Sequence, residues 1–199
     1  MRVGGTAAFW RVKRVGDVLL SLALIPALIC VGTAILVLNP ALNPGTLLFL
    51  QERIGLHGRT FVMLKFRTMQ GNSGSARFAS EESHRVTRFG IFLRRYRIDE
   101  LPQVINVLRG EMSLIGPRPE QPGFVEVFRV TMPGYHLRHV IKPGVSGLSQ
   151  VMEGYTSDTD GTQRKLALDL RYIRRSGFRL EAFILWRTLV TVVTGFGAR

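Results

Sequence analysis

The chain has 199 residues and a formal charge of +13 at neutral pH, with an isoelectric point of about 11.2. That length suits one domain with a real core. The basic balance calls for a negatively charged partner: nucleic acid, an anionic membrane surface or a phosphorylated substrate. The lone cysteine, Cys30, excludes an internal disulfide and lies in an apolar run, where it reads as packing. His136 and His139 are three apart but have no third ligand nearby, which argues against a zinc centre.

From Val18 to Leu38 the chain reads VLLSLALIPALICVGTAILVL, 21 residues without a charge. At about 1.5 Å per residue, such a helix just crosses a hydrocarbon core of about 30 Å. A cleavable signal peptide fits poorly, because NPALNPG follows instead of a small-residue cleavage site. Arg2, Arg11, Lys13 and Arg14 hold the N-terminal flank in the cytoplasm. Everything after Glu52 is basic too, so both flanks are expected on one side. Pro26 removes a hydrogen bond in mid-helix. The expectation is therefore a re-entrant helix, over about 15–39, that breaks near Ile25–Pro26 and returns. The alternative is an ordinary span that tolerates one kink.

Pro40, Asn43, Pro44 and Gly45 form a turn-rich exit, and TLLFLQERIGLHGRTFVMLKFRTM then reads as a hairpin around Gly55 and Gly58. Gly71–Ser83 is polar and reads as a loose loop. RVTRFGIFLRRYRI has apolar residues at helical spacing and a basic face. Asp99 sits where an N-cap belongs, with Pro102 in the first turn of a helix that ends at Gly110. LIGPRPE reads as rigid loop, QPGFVEVFRV as a short helix, and IKPGVSGLSQV as turns around a short extended run. Thr162–Arg175 is an amphipathic helix. Arg179–Thr194 is too short for a comfortable span and pairs Trp186 with Arg187, which suits a helix lying along a membrane interface.

The adjacent carboxylates Asp99 and Glu100 follow Arg85, Arg88, Arg94, Arg95 and Arg97 with no acid between. On a helix, neighbours point about 100° apart, so the two do not share a proton as a dyad does. They suit separate jobs. A carboxylate can accept a phosphoryl group as an acyl phosphate, and arginines with Mg²⁺ are the usual equipment for neutralising the transferred charge. Mg²⁺ takes one or two carboxylates plus phosphate oxygens, which this sequence can supply. Pro117 and Pro119 hold Arg118 between two restricted backbones, presenting its guanidinium with little entropy to lose. Taken alone, the acid pair also fits an N-cap with an exposed neighbour.

QERIGLHGRTFVMLKFRTM, RIDELPQVINVLRGEMSLIGPRPE, IKPGVSGLSQV and LALDLRYI occur together in this order. From about Trp10 to Gly195 the chain resembles the bacterial sugar transferases, the small monotopic phosphoglycosyl transferases. The resemblance implies an α+β, mainly helical fold. Its parts are a re-entrant N-terminal membrane helix, a small β-hairpin, and amphipathic interfacial helices around a compact cytoplasmic catalytic core. One domain would cover 1–199, with its catalytic part at about 46–195, on the cytoplasmic face of the bacterial inner membrane. It implies transfer of a sugar-1-phosphate from a UDP-sugar to a polyprenyl phosphate with release of UMP. In glycoconjugate synthesis, such as that of exopolysaccharide, this is the first membrane step.

The same resemblance implies catalytic roles for Asp99, as nucleophile and Mg²⁺ ligand, and for Glu100, assisting the lipid phosphate step or positioning the metal. Lys65, Arg94 and Arg118 match family positions that bind phosphate or support the site, and Arg138, Gln150 and Asp169 match further ones, here grouped as substrate-binding. Two departures stand out: Ile25 precedes Pro26 where the family commonly has serine, with Ser21 or Thr33 as substitutes, and Leu148 stands where it often has tryptophan. The partners implied are a UDP-sugar, a polyprenyl phosphate and the inner leaflet, with a homodimer left open. A nucleic-acid-binding protein leaves the apolar segment and the acid pair unexplained, and the chain carries no such motif. A non-catalytic scaffold with a polybasic surface is the remaining rival.

Overall fold

The computed structural model describes residues 2–71, 83–153 and 159–195. Its longest element is α1, Ala7–Leu42, a helix of 36 residues whose N-cap, Thr6, accepts from the Phe9 N–H at 3.1 Å. Pro26 lies inside α1, and the helix continues through it. The break expected near Ile25–Pro26 is thus absent as an interruption, since the proline removes only one donor. Thr33 donates back to the Ile29 carbonyl. Ser21 Oγ has no partner among the described residues, so neither hydroxyl takes up the Leu22 carbonyl freed by Pro26.

Both ends of α1 lean on the same body. Near its start, Arg14 donates to the Val107 and Leu108 carbonyls, and Asp17 accepts from Ser113. Near its end, Ile35 packs with Phe66 and Leu93, and Asn39 donates to the Gly45 carbonyl. Between them, no residue of 22–34 is buried. The apolar middle of the helix faces outward.

β1 (Leu48–Ile54) and β2 (Thr60–Phe66) form the expected antiparallel hairpin, with Leu50 opposite Leu64. The loop expected over Gly71–Ser83 lies outside the described residues except at its ends. Then come α2 (Arg88–Arg95), a 3-10 turn at Ile98–Glu100, and α3 (Gln103–Arg109), which stops at Gly110 with φ 83°. Asp99 is therefore inside a 3-10 turn and is not the N-cap of a longer helix. Pro102 has no N–H to give, and its neighbours close i→i−3 bonds instead: Leu101 to Ile98, Val104 to Leu101 and Ile105 to Pro102.

β3 (Ser113–Ile115) pairs in parallel with β4 (Gly144–Ser146), where the LIGPRPE stretch alone suggests loop. Three residues are too few to show a period. Also present are α4 (Pro122–Thr131), α5 (Leu148–Met152), α6 (Thr159–Arg175) and α7 (Phe178–Thr194). The main core joins Ile115, Val151, Tyr172, Ile173 and Ile184, so β3 is held among α5, α6 and α7.

One buried amide sets the position of β2. Asn106 on α3 accepts from the Leu64 N–H at 3.1 Å and donates to the Val62 carbonyl at 2.8 Å and to Glu111 at 2.6 Å. Asn106→Ala strands the buried Leu64 donor, at a cost on the order of 2 kcal/mol. Thermal unfolding in detergent should show a melting point lower by several degrees; an unchanged one would mean that Asn106 does not hold β2.

Candidate functional site

The site forms where β2, the 3-10 turn and the segment after β3 converge. Arg97, with φ 55°, reverses the chain between α2 and the turn. A left-handed arginine costs roughly 1–2 kcal/mol, so the surrounding contacts must hold it there. The reversal brings Asp99 and Glu100 inward, and both are buried, at 8% and 5% exposure.

Three cations surround Glu100. Lys65 Nζ donates to its Oε1 at 3.0 Å and Arg118 Nη2 to the same oxygen at 2.9 Å, while Arg97 Nη1 lies 3.4 Å from Oε2. Burial alone would raise this carboxyl, but Arg118, Lys65 and Arg97 outweigh it and hold Glu100 well below the usual carboxylate range. Asp99 is different. Among the described residues it makes no ion pair within 4.0 Å. Burial, with Glu100's charge added, raises it to about 6 against the opposing pull of Lys65, Arg94 and Arg118. Arg94 is near enough to act on Asp99 and is oriented by its Nε bond to Thr68 Oγ1 at 3.0 Å.

The Arg118 segment is fixed along its backbone. Gly144 N donates to the Pro117 carbonyl at 2.9 Å, Arg138 Nη2 to that of Arg118 at 2.9 Å, and Arg53 Nη1 to that of Pro119 at 2.9 Å. Ile54 N completes the set on the Glu120 carbonyl at 2.9 Å. At its start, Gly116 N donates to Ser146 O, and a Cβ on Gly144 would fall 2.0 Å from that same nitrogen. Only glycine fits there.

Of the residues expected at the site, Lys65, Asp99, Glu100 and Arg118 come together, with Arg94 beside them. Arg138 and Asp169 do not face the acid pair. They form a buried ion pair at 2.7 Å behind the Arg118 backbone, with Asp169 also accepting from Ser149 Oγ at 2.7 Å. Gln150 donates to the Val145 carbonyl at 2.9 Å, and its Oε1 has no partner among the described residues. Arg97 was missed as a Glu100 partner, although its place three residues earlier is a legible signal. Arg53 was missed with no signal, since its role depends on the chain returning at Pro119.

A match to the family model described as bacterial sugar transferase covers residues 8–195. The chain belongs to the bacterial sugar transferase family. It is 45% identical over 190 residues to a UDP-N-acetylgalactosamine-undecaprenyl-phosphate N-acetylgalactosaminephosphotransferase of Aeromonas hydrophila, covering 94% of this chain and 45% of that protein. It is 36% identical over 192 residues to a UDP-glucose:undecaprenyl-phosphate glucose-1-phosphate transferase of Escherichia coli (strain K12), covering 92% and 40%. An exopolysaccharide production protein of Rhizobium leguminosarum bv. phaseoli is 35% identical over 182 residues, covering 81% and 90%. The chain thus spans less than half the length of the first two relatives.

In this chain, four cations (Lys65, Arg94, Arg97, Arg118) surround two carboxylates, leaving two positive charges in surplus when both acids are ionised. That surplus suits a diphosphate. Among the described residues no group of three or more His, Cys, Asp or Glu could hold a metal ion by itself. Of the two acids, Asp99 is the one without an ion pair among the described residues and would be the one to hold a Mg²⁺ ion, which takes one or two carboxylates and completes its shell with phosphate oxygens and water.

The raised Asp99 has a consequence for stability. Protonated Asp99 is favoured in the fold, a contribution fully present below the unfolded value near 4 and lost as pH rises through about 6. At pH 7.5 the ionised group therefore burdens the fold by an amount on the order of 3 kcal/mol. Asp99→Asn should melt several degrees above the unmodified protein at pH 7.5 and near it at pH 4, by thermal unfolding in detergent. A lower melting point at pH 7.5 would show that the cations, not burial, dominate at Asp99.

Proposed function

We propose that this chain transfers a sugar-1-phosphate from a UDP-sugar to a polyprenyl phosphate, with Asp99 as the covalent nucleophile. What carries the reading is the contrast between neighbours: Glu100 is tied to three cations, while Asp99 makes no ion pair among the described residues and is raised to about 6. An ionised Asp99 with a raised pKa is more basic than an ordinary aspartate and still largely ionised at pH 7.5.

In the first step an Asp99 oxygen attacks the phosphorus bearing the sugar, and the bond from that phosphorus to the bridging oxygen breaks. UMP leaves with the bridging oxygen. In the second, an oxygen of the lipid phosphate attacks the same phosphorus and Asp99 returns as a carboxylate. Mg²⁺, when bound, would neutralise phosphate charge. Arg118 and Lys65 sit on Glu100 and also act electrostatically on Asp99, so a diphosphate lying over Asp99 would meet their charge. Glu100 acts on this reading as the anionic anchor that keeps both cations aimed.

The membrane part of the proposal is a monotopic seat on the cytoplasmic face. It is supported by the contacts that both ends of α1 make with one body, and by the exposed run between them. A body outside the bilayer cannot touch both ends of a helix that crosses it. The exposed Trp186 and Val193 of α7 suit contact with the same interface. The names of the relatives support the UDP-sugar and undecaprenyl phosphate.

The chemical test uses purified full chain in detergent with Mg²⁺ and a UDP-sugar found by a screen begun with UDP-N-acetylgalactosamine and UDP-glucose. Without lipid, one enzyme equivalent of UMP should appear, with a sugar-phosphate adduct in the intact mass. Asp99→Asn should abolish both. The kcat/KM of UMP release should fall about tenfold per pH unit below about 6, because protonation removes the nucleophile. Sequential kinetics without an adduct would mean that the lipid phosphate attacks directly.

The topological test places single cysteines at Arg2 and Gly58 on a Cys30→Ser background. Both should label only from the cytoplasmic side; labelling of either from outside would establish a span.

A further inference from the structure

Lys13 and Asp17 are one turn apart on α1 and both nearly buried; Asp17 reaches β3 directly and Lys13 reaches Glu181 on α7. Asp17 Oδ2 accepts from Ser113 Oγ at 2.7 Å, and its Oδ1 from the Leu114 N–H at 3.3 Å. Lys13 Nζ donates to Glu181 Oε2 at 2.6 Å. The Tyr172 hydroxyl shares its one proton between Glu181 Oε1 at 2.5 Å and the Ile115 carbonyl at 3.2 Å. Every residue of β3 is thus held by a polar side chain that belongs to α1 or is tied to it. The strand leads directly into Gly116 and the Pro117–Pro119 segment that carries Arg118.

We infer that Asp17 is a positioning residue for the transfer reaction: from within the apolar helix it fixes β3, and β3 sets the aim of Arg118. The inference rests on the reading that Arg118 meets the diphosphate. Three features favour a positional role over simple packing. A carboxylate is costly to bury in a helix with so much lipid-like surface, yet Asp17 is only 7% exposed. It spends its two oxygens on two consecutive residues of one strand. And Arg14, on the same helix, holds the C-terminal carbonyls of α3, the helix that follows Asp99. One stretch of α1 therefore grips the elements on both sides of the site, and the seating of the helix in the bilayer is mechanically joined to the spacing between Asp99 and Arg118.

A double-mutant cycle tests this in the full chain, reading kcat/KM for UMP release with polyprenyl phosphate and the UDP-sugar from the screen. Arg118→Lys should lose at least about tenfold, since an ammonium cannot reproduce the guanidinium fork. Asp17→Ala should lose about tenfold in the unmodified background but less than about twofold on top of Arg118→Lys, because it acts through that side chain. Ser113→Ala removes only a hydroxyl and should show the same pattern, which keeps the test valid if Asp17→Ala folds poorly. Val15→Ala, exposed on the same helix, should leave kcat/KM unchanged. Equal losses from Ser113→Ala in both backgrounds, or no loss in either, would overturn the inference while the proposed function stands. Near-normal turnover by Arg118→Lys would instead remove Arg118 from the diphosphate and take away the reading on which the inference rests.

Discussion

Glu100 is the constraint on which the site depends. A carboxylate this deeply buried is tolerable only if its charge is met, and here Lys65, Arg97 and Arg118 meet it from three parts of the chain. Each cation would repel the others if the carboxylate were removed. The hairpin, the reversed turn and the segment after β3 therefore share one electrostatic centre, and the fold around it exists in large part to deliver those three side chains. Removing Glu100 would leave three cations buried together without their counter-charge.

The delivery itself is done by backbone bonds and by a few buried polar side chains. Four successive carbonyls, from Pro117 to Glu120, are each taken by a different donor: Gly144, Arg138, Arg53 and Ile54. Arg138 can serve there because Asp169 neutralises it at 2.7 Å. Arg138 and Asp169 thus support Arg118 from behind. Asn106 does the same for Lys65 by fixing the Leu64 N–H next to it in β2. On the proposed reading, a diphosphate lies against a carboxylate and needs cations that do not swing, and both supports reduce that freedom.

Much of this was legible in the sequence because it rests on local signals. The apolar run, the hairpin around Gly55 and Gly58, the stop at Gly110 and the amphipathic helix before Ser176 follow from periodicity and turn chemistry. The grouping of Lys65, Asp99, Glu100 and Arg118 came from ordered motifs, not from physics alone. What stayed hidden is non-local. The β3–β4 pair is three residues long and joins segments about thirty residues apart. The roles of Arg53 and Asp17 depend on which carbonyl or hydroxyl the fold brings alongside, and no spacing announces it. The uninterrupted course of α1 past Pro26 was hidden for another reason. A proline's cost is one hydrogen bond, and whether a helix breaks there is decided by its surroundings.

The 3-10 turn, where an α-helical N-terminus had been expected, matters for the chemistry. In a 3-10 turn neighbouring side chains diverge by about 120°, more than in an α-helix, and Pro102 enforces that tighter winding by withholding its donor. Arg97's reversed backbone then orients the turn as a whole. Glu100 points at the cations of β2 and the Arg118 segment, while Asp99, near Arg94, makes no ion pair among the described residues. Two adjacent acids so acquire opposite characters: one permanently ionised and occupied, the other raised by burial and available. A sequence of two carboxylates in a row does not by itself say which one the cations hold. The winding of one turn, set by a proline three residues on from Asp99, separates them.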